Sequence, residues 1–325
     1  MKRVEIKEHG SDEVLQLVNA EAAHAGPGQV QVEIHAAGVN PADTYVRAGN
    51  YEFLKPELPF TPGYDGAGIV TATGSGVTHV KNGDRVWVST IPARTLGTYA
   101  QVMVCEAGVV HHLPDHLSFE EGAALGVPYT TAYRALFQRG RALPGEVVLV
   151  HGASGGVGLP AVQLAAAHGM TVIGTAGTPA GLELVAQSGA THTLDHTQPG
   201  YLARIHELTK GHGVDLVVEM LANRNLQDDM NVLARNGRIV IVGSRGPIEI
   251  SPRSLMVAEA DVRGTALWNM TPADFEEAYA AIDQLLQARA IRPVVGQQFP
   301  LAEAADAHRF ITTSRARGKV ILQAR

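Results

Sequence analysis

A glycine-rich segment between an apolar run and a run of small residues most constrains how this chain can fold. Residues 151–158, HGASGGVG, contain four glycines and lie between EVVLV (146–150) and LPAVQLAAAHG (159–169). The order strand, glycine turn, helix predicts a phosphate-binding loop, because small residues let a phosphate approach the unpaired N–H groups of a helix N-terminus. A tight turn without any ligand is the alternative interpretation.

Strand-like and helix-like segments alternate from residue 146 onward, which predicts a doubly wound parallel sheet, the Rossmann architecture of the α/β class. The helix-like segments lie at 156–168, 180–189, 201–210 and 225–234. The strand-like segments are EVVLVHG, TVIGTA, THTLDH, VDLVVEM and GRIVIVGS, and DVRGTALW (261–268) is a candidate sixth strand. An amphipathic helix at about 272–289, a short helix at about 302–312 and a strand, GKVILQ (318–323), follow.

The first third of the chain has a different pattern, that of short strands separated by turns. RVEI, VLQLV, QVQVEI, GAGIVTAT, DRVWVS and YAQVMV are apolar or alternating. They predict a twisted, partly closed antiparallel sheet. The period changes at SFEE, where Ser118 and Glu121 have the spacing of a helix capping box. We therefore expect a β-rich domain over 1–121, a Rossmann domain over 122–262 and a C-terminal segment over 263–325.

Charge and cysteine content exclude several classes of protein. The 325 residues carry a formal net charge of −6, so a nucleic-acid partner is not expected. The single cysteine, Cys105, allows no intrachain disulfide and fits a reducing cytoplasmic location. No apolar run reaches the length of a membrane span, and the N-terminus lacks the apolar core of a signal peptide.

The glycine loop and the segment after the second strand predict which cofactor binds. Gly155 and Gly158 match the dinucleotide fingerprint, with Ala153 in place of its first glycine. The second strand ends in GTAGTPAG (174–181), which has no carboxylate to accept the ribose hydroxyls of NAD. Glu183 is the first acid beyond it, and no arginine or lysine follows. We expect NADP(H), with Glu183 acting against a strict preference.

Two segments, GVNPADTYVRAG (38–49) and PGYDGAGIV (62–70), resemble those that hold catalytic zinc in the medium-chain alcohol dehydrogenases. That family has a cysteine in the first segment and Gly-His-Glu in the second. Asn40, Tyr64 and Asp65 stand at those places here. An amide and a phenol do not replace a thiolate and an imidazole around zinc, so no metal is expected.

Several motifs in combination resemble the zeta-crystallin type of NADPH:quinone oxidoreductase, a zinc-free branch of the medium-chain dehydrogenase/reductase superfamily. They are GVNPADTYVRAGNY, PYTTAYRAL, HGASGGVGLPAVQLA, GTAGT, EMLAN, IVIVGSRGPIEISPR and GKVIL, and the match runs from about residue 28 to the C-terminus. The resemblance implies a GroES-like catalytic domain with a Rossmann domain, a chain end that returns to the catalytic domain, and a homodimer or homotetramer.

The same resemblance implies which residues contact the cofactor. Ser154, Gly155, Gly156 and Val157 are expected at the pyrophosphate, and Gly177 and His196 at the 2′-phosphate. Asn225 and the VGSR segment (Val242, Gly243, Ser244 and Arg245) are expected along the adenosine and nicotinamide ribose, Thr265, Ala266 and Leu267 beside the nicotinamide, and Tyr51 opposite from the catalytic domain. Members of eukaryotic origin have a lysine in the helix after GTAGT, where this chain has Glu183.

Without zinc, neutral donors must stabilise the oxyanion that develops when a hydride reaches the substrate. Asn40, Tyr45 and Tyr51 are the candidates. Asn40 is also a candidate N-cap, with Pro41 at the first position of a short helix, and Tyr45 is also a candidate structural tyrosine.

The expected activity is quinone reduction by NADPH, and two other functions stay open. An enoyl or 2-alkenal reductase uses the same scaffold on conjugated carbonyls. A structural, crystallin-like or RNA-binding role is the non-enzymatic alternative, and the net negative charge weighs against RNA.

Overall fold

The structure is a computed structural model that describes residues 1–313 and 317–325, and it divides into two units. The first unit comprises Met1–Pro128 and Arg292–Arg325, and the second comprises Tyr129–Ile291. The changes of unit after Pro128 and after Ile291 lie beyond residues 121 and 262, the domain boundaries expected from the sequence. The residues after 121 and 262 still pack on the elements before them. Val127 donates its N–H to Asp65 Oδ1 at 2.8 Å, and Glu277 accepts a hydrogen bond from Tyr133.

The first unit begins with short strands, as the sequence predicts. The elements are β1 (Lys2–Glu5), β2 (Gln16–Asn19), β3 (Gln29–Val39), α1 (Pro41–Arg47), β4 (Asp65–Thr73), β5 (Arg85–Ser89), β6 (Val102–Glu106), β7 (Val110–His112) and α2 (Phe119–Gly122). β1 and β2 form a separate antiparallel pair, and β3 pairs antiparallel with both β4 and β6. Alternate residues of β3, including Val30, Val32 and Ile34, are completely buried in the core of this unit.

The predicted capping box starts α2. The Ser118 hydroxyl accepts the N–H of Glu121 at 3.2 Å, and the Glu121 carboxylate accepts the N–H of Ser118 at 2.8 Å. Two of the unpaired donors at the helix start are therefore satisfied reciprocally, and this prediction is confirmed.

The second unit is the predicted doubly wound domain. Its elements are α3 (Gly126–Tyr133, which starts just before the unit), a π-helical turn (Arg134–Arg139), β8 (Val147–Val150), α4 (Gly158–Ala167), β9 (Thr171–Ala176), α5 (Pro179–Gln187), β10 (His192–Asp195), α6 (Ala203–Leu208), β11 (Val214–Glu219), α7 (Ala222–Met230), β12 (Leu233–Ile241), α8 (Pro252–Ala258), β13 (Asp261–Gly264) and α9 (Pro272–Gln287). The strands are ordered β10-β9-β8-β11-β12-β13, and every pair is parallel. The candidate sixth strand is confirmed as β13.

The last part of the chain completes the sheet of the first unit with β14 (Val295–Pro300), α10 (Ala304–Thr313) and β15 (Lys319–Gln323). β15 pairs antiparallel with β3 and parallel with β14, giving the order β14-β15-β3-β4-β5-β7 with β6 on β3. The pairing of β15 with β3 brings the C-terminal segment next to the start of α1. No helix among the described residues is both long and apolar enough to cross a membrane.

Candidate cofactor and active sites

The strand order of the second unit determines where a ligand binds to its sheet. The order reverses between β8 and β11, and the crevice outside the carboxyl ends of such strands is the ligand site of doubly wound folds. The glycine loop lies at this point, directly after β8. Ala153 in the loop donates its N–H to the Thr175 carbonyl of the neighbouring strand at 2.7 Å, so the loop is anchored to the sheet.

The glycines of the loop have different structural roles. A Cβ at Gly158 would lie 2.3 Å from the Gly152 carbonyl oxygen, so close packing of the loop requires glycine there. A Cβ at Gly156 would meet no protein atom within 4 Å, and a Cβ at Gly155 would meet only Gly152, at 3.3 Å. These two glycines therefore border open space next to the first turn of the ten-residue helix α4. This cradle fits a pyrophosphate.

The structure brings most of the predicted cofactor residues to one edge of the sheet. Ser154, Gly155, Gly156 and Val157 follow β8, Gly177 follows β9, His196 follows β10, Val242, Gly243, Ser244 and Arg245 follow β12, and Thr265, Ala266 and Leu267 follow β13, while Asn225 lies on α7. Because the strands are parallel, their carboxyl ends lie along the same edge. Tyr51 belongs to the first unit.

Two polar side chains at this edge support the assignment. The Nδ1 atom of His196 lies 3.3 Å from the hydroxyl of Thr175, and its backbone N–H donates to the Ala176 carbonyl. The Thr265 hydroxyl is buried and has no hydrogen-bond partner in the described part of the chain. A buried hydroxyl is costly without a partner, and a bound ribose or amide supplies one. The residues at this edge thus fit a dinucleotide.

A buried polar cluster beneath the loop was not predicted from the sequence. His151 Nε2 lies 2.7 Å from Asp229 Oδ1 and 3.6 Å from Glu219 Oε2, and all three side chains are buried. Burial raises the pKa of both carboxyl groups and lowers the pKa of His151, so the cluster resists full ionisation. A carboxylate that ends an apolar strand, as in VDLVVE, was the sequence signal for it.

Glu219 connects this cluster to the predicted cofactor residues. Its carboxylate accepts both the backbone N–H of Leu221 and the side-chain amide of Asn225, the latter at 3.1 Å. Its backbone carbonyl accepts the N–H of Val242 at 2.8 Å. Since the Asn225 nitrogen donates to Glu219, its Oδ1 atom is the acceptor left for a ligand.

The three ligand-type atoms of the cluster lie within 4.8 Å of one another, but their spacing is that of hydrogen bonds. Zinc–ligand bonds of about 2.0–2.1 Å in tetrahedral geometry separate ligand atoms by roughly 3.3 Å. The 2.7 Å separation of His151 and Asp229 is too short for two ligands of one ion.

In the first unit, the positions that correspond to zinc ligands form a different group. The Lys319 ammonium donates to Asp65 Oδ2 at 2.9 Å and to Asn40 Oδ1, and the Asn40 amide donates to the same Asp65 oxygen at 2.9 Å. A buried ammonium already neutralises Asp65, and a divalent ion there would face a like charge. These residues do not fit zinc.

Asn40 also starts α1, as predicted. It is the N-cap residue of α1 with Pro41 after it, and its backbone N–H donates to Asp43 Oδ2 at 2.7 Å. Both polar atoms of its carboxamide are in addition bound to Lys319 and Asp65.

The three tyrosines near α1 differ in their environment. Tyr45 on α1 is exposed, so the structural role in which a tyrosine ring is buried does not describe it. The Tyr45 and Tyr51 rings lie 6.2 Å apart, and Tyr51 contacts Phe53 at 5.5 Å. Tyr64 is completely buried, and burial raises the pKa of its phenol, which stays neutral. Tyr45 and Tyr51 remain predicted substrate-side donors.

Comparison with known proteins agrees with this geometry. The profile described as "Alcohol dehydrogenase GroES-like domain" matches residues 26–115, and "Zinc-binding dehydrogenase" matches residues 156–284. A quinone oxidoreductase from Sus scrofa is 44% identical over 99% of this chain and 97% of its own length.

Two solved structures show the same full-length fold. The structure of Escherichia coli quinone oxidoreductase complexed with NADPH has a TM-score of 0.87, 32% identity and coverage of 99% of this chain and 100% of that chain. A structure described as an NAD-dependent alcohol dehydrogenase has a TM-score of 0.90, 30% identity and 99% coverage of both chains. Together with the full-length relative, these likenesses show that the chain belongs to the zeta-crystallin-type quinone oxidoreductases of the medium-chain dehydrogenase/reductase superfamily.

Proposed function

We propose that this protein reduces quinones with NADPH. The observation that carries the proposal is the Lys319–Asp65–Asn40 group, which stands where the zinc-dependent relatives of this fold hold their metal ligands. Alcohol oxidation on this fold uses the metal to stabilise an alkoxide. A chain without those ligands suits a substrate whose carbonyl is already electron-poor, such as a quinone. The relatives described as quinone oxidoreductases support the same substrate class.

When bound, NADPH supplies a hydride, which carries two electrons to the quinone; NADP⁺ is left, and one proton from solvent completes the hydroquinone. The residues of this chain bind and orient the reactants. Ser154 to Val157 would hold the pyrophosphate at the start of α4. Gly177 and His196 would hold the 2′-phosphate, and Asn40, Tyr45 and Tyr51 would donate to the substrate oxygen.

A substrate panel under NADPH tests this function. We expect rapid NADPH oxidation with benzoquinones and naphthoquinones, and rates at least tenfold lower with enones and 2-alkenals. Faster turnover of the conjugated carbonyls would instead establish the enoyl or 2-alkenal reductase. Failure of every acceptor, with NADPH bound, would refute both.

We also propose a homodimer formed through β13, the outermost strand of the parallel sheet. β13 is an edge strand that pairs only with β12 among the described residues, so no strand covers its other side, where the Gly264 carbonyl accepts a hydrogen bond from Arg139 Nε at 2.9 Å. Met256 and Val257, on the helix before it, are 77% and 78% exposed, and Val262 on β13 is 36% exposed. Exposed apolar residues beside a strand edge suit a second copy of the chain.

Light scattering after gel filtration tests the dimer. We expect a dimer in the wild type and a monomer in the double variant Met256→Glu/Val257→Glu. Leu143→Glu, at an apolar residue 62% exposed elsewhere in the second unit, is the matched control and should stay dimeric. A wild-type monomer contradicts the proposal, and a wild-type tetramer that the double variant leaves intact contradicts this surface.

The cytoplasm is the location we propose. Cys105 is buried, and burial raises the pKa of its thiol to about 12, which suits an unreactive free thiol in a reducing compartment. Cell fractionation tests this assignment.

A further inference from the structure

The side chain of Asn40 is held in one orientation by two charged neighbours. An ammonium group only donates hydrogen bonds, so the atom of Asn40 that faces Lys319 must be Oδ1. An ionised carboxylate only accepts, so the atom that faces Asp65 must be Nδ2. The chemistry of the partners therefore determines which way the carboxamide points. One of its two N–H bonds is used by Asp65, and the other has no partner among the described residues.

Two glycines in the backbone leave the space that the side chains of Lys319 and Asp65 occupy. A Cβ at Gly38 would lie 2.6 Å from Cε of Lys319, so glycine there leaves the space that the lysine stem occupies. A Cβ at Gly126 would lie 2.2 Å from Oδ1 of Asp65, and this oxygen accepts the N–H of Val127 at 2.8 Å. Two glycines from different segments thus make room for the two charged side chains.

The group is also isolated from water, which strengthens its electrostatic effect. Lys319 is 4% exposed, Asn40 is 3% exposed, and Asp65 is completely buried. A positive charge on the carbonyl oxygen of an amide draws electron density toward that oxygen, and resonance leaves the nitrogen and its hydrogens more positive. In a buried site this polarisation is weakly screened. With Asp65 in place, the unused N–H of Asn40 is therefore a stronger donor when the Lys319 ammonium is present than when it is absent.

We propose that Lys319 is a positioning residue that orients and polarises Asn40, so that the second amide N–H stabilises negative charge on the carbonyl oxygen of the substrate. This inference rests on the proposed quinone reduction, in which the oxygen gains charge as the hydride arrives. Asp65 keeps the ammonium in place and orients the amide nitrogen. The positive charge that a metal contributes in zinc-dependent relatives is supplied here by a lysine, through an amide.

Binding of p-nitrophenol tests this role without turnover. The phenolate imitates the charged oxygen, and its visible absorption reports the ionisation state of the bound ligand. With the protein saturated with NADP⁺, we expect the wild type to bind phenolate more tightly than phenol. In Lys319→Met, the phenolate-to-phenol affinity ratio should fall about tenfold. Lys319→Arg keeps the positive charge and should retain part of the preference.

Two further variants keep the experiment informative. Lys319→Met leaves the buried Asp65 carboxylate without its counter-ion, which can prevent folding. The double variant Lys319→Met/Asp65→Asn removes both charges and keeps one oxygen, which can accept from Val127 or from Asn40, and it should show the same tenfold loss. Lys81→Met, at an exposed lysine of the same unit, is the matched control and should behave as the wild type.

Kinetics separate this inference from the proposed function. We expect Lys319→Met and Lys319→Met/Asp65→Asn to lose about 10²-fold in kcat with a quinone, with the Kd for NADPH unchanged. Absence of phenolate preference in the wild type, or a wild-type ratio in the double variant, would overturn the role of Lys319. Absence of quinone turnover in the wild type would instead overturn the proposed function, whatever the phenolate results.

Discussion

The phenol of Tyr99 donates a hydrogen bond to Oδ2 of Asp43 at 3.3 Å, and both side chains are completely buried. Arg47 only donates, so the Nδ1 atom of His308 that it contacts at 3.2 Å must be an acceptor. The proton of neutral His308 then lies on Nε2, 3.1 Å from the Tyr99 hydroxyl. Asp43 therefore ends a directed chain of hydrogen bonds, and its other oxygen, Oδ1, has no partner in the described part of the protein.

Asp43 should make the stability of the protein fall as the pH rises toward neutrality. Burial, as the largest cause, raises the pKa of this carboxyl from 3.8 to about 7, while the Asn40 N–H and Lys319 lower it. A raised pKa in the folded state means that the stabilisation is complete below the unfolded pKa and is lost as the pH rises to about 7.

The variant Asp43→Asn imitates the protonated carboxyl and should lack this loss. As the pH rises from 5 to 8, the free energy of unfolding of the variant minus that of the wild type should increase by about 2 kcal/mol. Denaturant titration at the two pH values measures the difference, with Asp115→Asn, at an exposed carboxylate, as the control. If the difference in free energy of unfolding between Asp43→Asn and the wild type does not change with pH, the raised pKa of Asp43 is contradicted.

Gly156→Val should weaken NADPH binding without weakening the fold. The position has no protein atom within 4 Å of a Cβ, so the added side chain occupies only the space intended for the pyrophosphate. We expect at least a tenfold rise in the Kd for NADPH and an unchanged Tm of the free protein. Gly108→Val, at a glycine with equally open surroundings in the other unit, should change neither quantity. Unchanged affinity in folded Gly156→Val would mean that residues 151–158 are only a turn.

Gly177→Asp should shift the cofactor preference toward NADH. Ala176, the last residue of β9, is completely buried, whereas Gly177 is the first partly exposed position beyond that strand. A carboxylate at Gly177 would accept ribose hydroxyls and repel a 2′-phosphate. We expect the wild type to prefer NADPH by about tenfold in kcat/KM, or ~1.4 kcal/mol, and the variant to reverse that preference.

The natural acid nearby should weaken the NADPH preference only modestly. Glu183 lies on the exposed side of α5, where its carboxylate accepts a hydrogen bond from Gln187. Exposed charges act weakly at a distance, because water and salt screen them. Glu183→Gln should therefore raise the NADPH preference by less than Gly177→Asp lowers it. Equal kcat/KM with both cofactors in the wild type would show that the end of β9 does not discriminate between them.

Zinc should be neither bound nor required. Lys319 donates to both Asp65 and Asn40, so the ligand positions of the zinc-dependent relatives already hold a positive charge. We expect metal analysis to find zinc far below one ion per chain, and a chelator to leave quinone reduction unchanged. One zinc per chain, removed together with activity, would contradict the electrostatic reasoning.

The sequence by itself determined the elements whose signals are local. Ser118 and Glu121 are three residues apart, so one turn of backbone is enough to predict their reciprocal cap. The alternation of strands and helices after residue 146 predicted the parallel sheet. Each helix carries the chain back to the end of the sheet at which the preceding strand began, so the next strand runs in the same direction. The phosphate-binding loop was predicted from its position between β8 and α4. Because the strands are parallel, residues as distant in sequence as His196 and Thr265 lie at the same carboxyl end of the sheet.

Only the tertiary structure decided the contacts between residues far apart in sequence. Lys319 reaches Asn40 because β15 pairs with β3, and no periodic pattern in either segment specifies that pairing. His151 and Glu219 likewise meet because β8 and β11 are neighbours in the sheet. Local patterns determine which face of an element is buried, but the partner of a buried charge depends on strand order and register. The charged groups that shape this protein's chemistry are therefore a property of its topology.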